Sequence, residues 1–169
     1  MGEQFARKLG SSNRFITLTR WDGEIRVDVR EWCVEPKVYP TKKGISLSLA
    51  RWKLLCLSFE DIDLCVKENK PFQGHLGGNV FVNVSKDFPM RVDIRQFFIP
   101  PGESVPKPTR RGISLFVTEW RDLISCSRDL ENKIPEMADA QPCLMMDDHQ
   151  NQEGMLRCKE CNPGGYQEW

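Results

Sequence analysis

Four arginines are placed where they could grip a polyanion. Arg26 and Arg30 lie in "IRVDVR" and Arg91 and Arg95 in "RVDIR", each pair four residues apart within an alternating apolar pattern. Successive side chains of a strand point to opposite faces, so each pair stands together, opposite Ile25, Val27 and Val29 in one segment and Val92 and Ile94 in the other. Two more basic pairs follow, Lys42 with Lys43 and Arg110 with Arg111, each directly before Gly-Ile-Ser-Leu. Cations in such rows suit phosphates, and aromatic faces beside them suit unstacked bases. Trp21 sits at the mouth of "WDGE", an Asp-Gly hairpin signal whose exposed tip is a poor place for a core residue.

A second set could bind metal. "CKEC" places Cys158 and Cys161 in a Cys-x-x-Cys, with Cys143 and His149 upstream. The order Cys, His, Cys-x-x-Cys is not a standard zinc spacing, and the segment has little apolar content to organise a site. The expectation is therefore no metal and no cofactor, with free thiols on a disordered tail. Cys33, Cys56, Cys65 and Cys126 fall within patterned segments and read as buried small hydrophobes.

The elements that would position these residues are written twice. "PTKKGISLSLARW" (40–52) and "PTRRGISLFVTEW" (108–120) agree at seven of thirteen positions and lie 68 residues apart. Such self-similarity sets the architecture before any single element is read. In the first copy, Ile16 and Leu18 alternate with threonines, a hairpin leads into Ile25, Val27 and Val29, and a further strand ends at Ser48, a helix N-cap residue type. Trp52, Leu55, Cys56, Phe59, Ile62 and Val66 then follow at helical spacing. The second copy repeats the plan, with a cap candidate at Thr118 and the stripe Trp120, Leu123, Ile124, Leu130 and Ile134. The fold class expected is α+β: two tandem β-β-β-β-α units at 14–70 and 79–135, a flexible linker "PFQGHLGG" at 71–78, and an acidic tail at 136–169. Units near sixty residues bury little surface alone, so the tryptophan-led helix stripes should pair them, within one chain as a pseudo-dimer or between chains as a homodimer.

Charge is distributed to match. The chain holds 24 basic and 24 acidic residues, but 136–169 carries seven acidic and two basic, leaving 1–135 with a net charge of +5. No stretch has the roughly 18 to 20 apolar residues a membrane helix needs, and "MGEQFARKLGSS" lacks both a signal-peptide core and the myristoylation pattern. A soluble intracellular protein with no membrane partner is expected. His75 in the linker and His149 in the tail have no nucleophile beside them in a motif, and no phosphate loop follows a strand, so no catalytic residue is assigned.

The segments "GEIRVDVREWCV…KKGISLSLARW" and "MRVDIRQFFI…RRGISLFVTEW" resemble the single-stranded-DNA-binding domain of the positive cofactor four family of RNA polymerase II transcriptional coactivators, twice over, across roughly 120 residues. The resemblance implies a curved four-stranded antiparallel sheet with one C-terminal helix, a paired arrangement, and binding of single-stranded or melted DNA with little sequence preference. It also implies a nuclear coactivator role, contact with the general transcription machinery, and no catalysis. Carried over by position, it implies nucleic-acid contacts from Arg30 and Arg95, from Lys42, Lys43, Arg110 and Arg111, and from Trp21. The strand-end aromatic falls on Cys33 with Trp32 adjacent, and on Phe98 in the second copy. Lys86 and Phe88 in "SKDFPMR" are approximate equivalents of the first hairpin's residues, and Lys107 precedes the second basic segment. Asp22 and Glu24 stand where the family has lysines, which points to the second unit as the stronger binder. The competing expectations are a tandem scaffold for protein partners that keeps the fold without the DNA channel, and an acidic tail that competes for the basic groove.

Overall fold

The structure is a computed structural model. It describes residues 5–85, 87–146 and 156–163, and among these all side chains except those of Trp21 and Leu144. The first sheet is built in order from β1 (Ala6–Leu9), β2 (Arg14–Trp21), β3 (Glu24–Cys33) and β4 (Tyr39–Ser48), all antiparallel neighbours. Two short helices follow, α1 (Leu49–Leu57) and α2 (Phe59–Glu68). The second sheet repeats the order with β5 (Phe72–Gly77), β6 (Val80–Val84), β7 (Arg91–Phe98) and β8 (Lys107–Phe116), followed by α3 (Val117–Lys133). The α+β architecture of two repeated units is the one the sequence leads one to expect.

Local chemistry explains most boundaries. Asp22 and Gly23 both take positive φ, 51° and 78°, as the tight hairpin turn after β2 requires. The Ser48 hydroxyl accepts the Arg51 N–H at 3.3 Å and starts α1. In the second unit the cap position is Phe116, not Thr118. With no side-chain acceptor there, the Glu119 carboxylate reaches back to take the Phe116 N–H at 2.9 Å. The single helix expected after Ser48 is broken at Ser58, which closes α1 and leads into α2.

Three further expectations are corrected. The first unit begins before residue 14, because β1 pairs with β2, Lys8 opposite Phe15. Residues 71–78 are not a flexible linker: Phe72–Gly77 form β5, with Leu76 buried. Glycines there read as flexibility but serve a turn, in which Gly77, Gly78 and Asn79 all have positive φ. The tail is ordered in part, with a 3₁₀ turn at Pro135–Asp139 that buries Met137 and a second at Cys143–Met145. The four cysteines of the body are half-buried rather than buried, and burial pushes the Cys56 thiol up to about 12.

One apolar core serves both units. It joins Val27, Val29 and Leu47 of the first sheet to Val82, Ile94 and Leu115 of the second. The helices bridge the two sheets: α1 packs on β3 and β4 of its own sheet and on β5, and α3 on β7 and β8 of its own sheet and on β1. At the centre Phe59 meets Trp52 edge to face at 6.2 Å and Trp120 at 5.4 Å, both tryptophans fully buried. Such ring pairs contribute about 0.5 to 1.5 kcal/mol each beyond the area they bury. A polar latch lies beside them: Arg14 pairs with Glu119 at 3.1 Å and also donates to the Ser114 carbonyl, Ser12 donates to Glu119, and the Gly10 N–H donates to Asp122 at 2.7 Å. Glu119 is 2% exposed, so its charge depends on these partners. Replacing Glu119 with Ala should cost about 3 kcal/mol, because it strips the partner from a largely buried arginine and uncaps α3. Urea denaturation of the full chain measures this, and both sheets should unfold in a single transition. A variant as stable as the parent, or two separate transitions, would contradict a shared core.

Candidate nucleic-acid interface

Each sheet turns one face to the core and one away, and the outward faces carry matching rows. In the first sheet the cross-strand row is Lys8, Phe15, Arg30 and Gly44; in the second it is His75, Phe81, Arg95 and Gly112. One step along each strand set, Thr17, Asp28 and Ser46 align, as do Asn83, Asp93 and Ser114. Directly opposite residues share a face, and in the first unit Thr17 and Asp28 of the second row are themselves buried.

The arginines are held by an identical device in both. Arg30 donates to Asp28 at about 3.1 Å and to the Thr41 carbonyl at 2.9 Å. Arg95 donates to Asp93 at 2.9 Å and to the Thr109 carbonyl at 2.8 Å. To reach those carbonyls the guanidinium stem must lie across the neighbouring strand, and a glycine sits beneath it. A Cβ on Gly44 would come within 2.7 Å of the Arg30 side chain and of the Val29 carbonyl; on Gly112, within 2.7 Å of Arg95 and the Ile94 carbonyl. That crowding gives a physical reason for a glycine after each basic pair. The threonines complete the device: Thr41 donates to the Glu31 carbonyl at 2.7 Å and accepts the Lys43 N–H, and Thr109 does the same with Gln96 at 2.6 Å and Arg111. Bulges after Arg30 and Arg95 bend both strands at this point.

Around this frame, Lys42, Lys43, Arg110 and Arg111 are exposed and make no ion pair among the described residues. Lys107 is exposed but pairs with Glu103 at 3.2 Å. The outer arginines differ. Arg26 is engaged by Glu24 at 3.3 Å and by Ser46 at 2.9 Å, whereas its counterpart Arg91 lies over the Phe116 ring, 4.2 Å from its centre. Phe88 at the second hairpin is 96% exposed and Phe98 48%. Trp32 is only 8% exposed and packs edge to face on Phe15, so it backs the row rather than presenting a free face. The Trp21 backbone ends β2; its side chain, like Lys86 and His149, lies outside the described residues. Among the described acids of the tail, Glu160 is bonded to Arg51 and not to a groove arginine.

The aromatic row of the second sheet went unread in the sequence. His75, Phe81 and Phe97 form a chain of rings, 4.9 Å and then 5.1 Å between centres. Burial holds the His75 imidazole below its usual value, and its Nε2 accepts the Asn79 N–H at 3.1 Å, consistent with a neutral ring. Lys8 was missed with β1, a strand of four residues too short to show a period, and Phe15 of β2 was not counted among the aromatic candidates. The signal available was the alternation of Phe81 and Asn83 with Val80, Val82 and Val84 in "VFVNV".

Fold and surface together define an α+β protein of two repeated units on one core, each with a basic, aromatic-bearing outer face. Residues 8–58 match the family model described as Transcriptional Coactivator p15 (PC4), a span that runs from the end of β1 through β4 and α1. Over 59 residues, 34% of this chain, the sequence is 41% identical to the RNA polymerase II transcriptional coactivator KIWI of Arabidopsis thaliana, and that alignment covers 55% of the relative. The chain thus spans about half the length of the curated relative it matches.

Gly44→Ala and Gly112→Ala test the device itself. Each should lower stability by about 1 to 3 kcal/mol through overpacking against backbone, and amide exchange at Lys43 or Arg111 should quicken as the threonine clamp is displaced. Unchanged stability and exchange in both variants would show that the arginine stems do not depend on the glycines.

Proposed function

We propose that this chain binds single-stranded or locally melted DNA with little sequence preference, and that it acts in the nucleus as a transcriptional coactivator of RNA polymerase II, by binding and not by catalysis. The observation that carries the reading is the repeated outer face: an arginine fixed flat in the middle of the sheet, aromatic rings beside it, and an exposed unpaired basic pair at the rim. Fixed cations spaced along a sheet match phosphates, and rings alongside match bases whose faces are free only in single strands. The match over 8–58 and the name of the plant relative support a place in transcription, with the general transcription machinery as a further partner. We assign contacts to Arg30, Lys42 and Lys43 in the first unit, and to Phe88, Arg91, Arg95, Arg110 and Arg111 in the second. The second unit carries more of the affinity, because Arg91 faces no acid among the described residues while Arg26 is occupied by Glu24.

A second reading has one observation in its favour. Asp28 and Asp93 sit on the central arginines and offset their charge, which suits a fold retained as a scaffold for protein partners. Fluorescence anisotropy of a labelled oligothymidine of about 20 nucleotides, titrated with the full chain at several salt concentrations and repeated with duplex, separates the two. Single-strand binding that weakens steeply with salt is expected. The double change Arg110→Ala with Arg111→Ala should reduce the salt slope by about 1.4, at roughly 0.7 per single-strand phosphate contact, and Phe88→Ala should cost about 1 to 3 kcal/mol. Absence of binding at low salt would leave the scaffold reading. Greater loss from Arg26→Ala with Arg30→Ala than from Arg91→Ala with Arg95→Ala would reverse the order of the units.

A further inference from the structure

The C-terminal segment holds a constellation that the DNA-binding reading does not use. Cys143 opens the second 3₁₀ turn, and Cys158 and Cys161 lie on a tight turn closed by the Asn162 N–H donating to the Cys158 carbonyl at 2.8 Å. The three Sγ atoms all lie within 4.8 Å of one another, and those of Cys143 and Cys158 are 3.8 Å apart. Thiolates bound to zinc at about 2.3 Å in tetrahedral directions stand roughly 3.8 Å from each other. A disulfide would need about 2.05 Å.

Hydrophobic burial does not account for this order. Between residues 136 and 163 the buried apolar side chains among those described are Met137 and Pro142, and none lies on the turn that carries Cys158 and Cys161. Yet the turn is seated on the body. The Gly78 N–H donates to the Glu160 carbonyl at 2.9 Å, and the Glu160 carboxylate forms a two-pronged pair with Arg51 at 2.5 and 2.8 Å. The repeat shows why a partner is needed there. At the third residue of α3, Glu119 latches Arg14 of the neighbouring unit; at the matching place in α1 stands Arg51, and Val80 replaces the arginine. The second latch has the wrong charge on the helix, and the tail supplies the missing acid.

We propose that Cys143, Cys158 and Cys161 bind a zinc ion, which pins the tail turn so that Glu160 closes the latch on α1. Zinc fits the donors: soft thiolates from a Cys-x-x-Cys and one distant cysteine, beside the apolar wall of Ala50, Leu54 and Leu76 that keeps the sulfurs half out of water. Binding requires the thiols to lose their protons, so the ion is taken up with proton release and held less tightly at low pH. The site borders the second sheet's outer face, since His75 of that row lines the same cavity as Cys143 and Cys161.

The test uses the full chain purified under reducing conditions without chelator. Elemental analysis should find one zinc per chain, and cobalt replacing it should give a thiolate charge-transfer band. Cys158→Ser with Cys161→Ser should lose both signals, while Cys65→Ser keeps them. Stripping the metal from the parent chain should expose bonds in 137–146 and 156–163 to protease while the two sheets stay resistant, a readout that needs no variant. Reduced protein with no metal and no cobalt band would overturn the proposal. So would metal retained by the double variant, or a parent chain whose Cys143 and Cys158 are joined as a disulfide and stay silent toward cobalt once reduced.

Discussion

Everything in this molecule depends on the helices that bridge its two sheets. A four-stranded sheet with one apolar face cannot stand in water alone, and neither sheet here is covered by its own helix only. α1 closes over β5 and α3 over β1, with Phe59 wedged between Trp52 and Trp120 where the two halves meet. The tryptophans contribute apolar bulk, since neither indole N–H has a partner among the described residues. With the inner faces committed to this joint, the outer faces are free to be polar, and their curvature and register are fixed from behind.

On those outer faces the structure trades charge for position. Arg30 and Arg95 are each bonded to an aspartate and to a carbonyl of the next strand. The aspartate lowers the local positive potential, but it also removes the rotamer freedom that an arginine on an open sheet would have to give up on binding. The rim lysines and arginines are the complement: exposed, and without an ion pair among the described residues.

Much of this could be read from the chain before any coordinates. The alternation around Arg26 and Arg30 gave the two-faced strand, the duplicated Gly-Ile-Ser-Leu gave the number of units, and Ser48 marked a helix start. What escaped reading has common physical causes. β5 was hidden because its glycines answer to a turn and to close packing, whereas composition alone equates them with flexibility. The cap at Phe116 was hidden because Glu119, three residues on, does the work of the missing side chain. Trp32 entered the site because it lies beside the position of the family's strand-end aromatic, but next to the bulge after Arg30 it packs inward. The order of the tail was invisible because it arises from contacts more than eighty residues distant, such as Lys53 donating to the Ala140 carbonyl at 2.9 Å.

The covalent join between the two halves, made through β5 and the short connection after α2, also changes how the assembly responds to abundance. Two separate chains that complete each other's cores come apart on dilution, and their stability cannot be separated from their concentration. Here the partner is always present at the high local concentration set by a short tether. Assembly is first order, the paired state persists in a sparsely expressed protein, and no subunit can be traded for a foreign one. Freed from symmetry, the two outer faces need not match, and they differ where Arg26 meets Glu24 in one and Arg91 meets the Phe116 ring in the other.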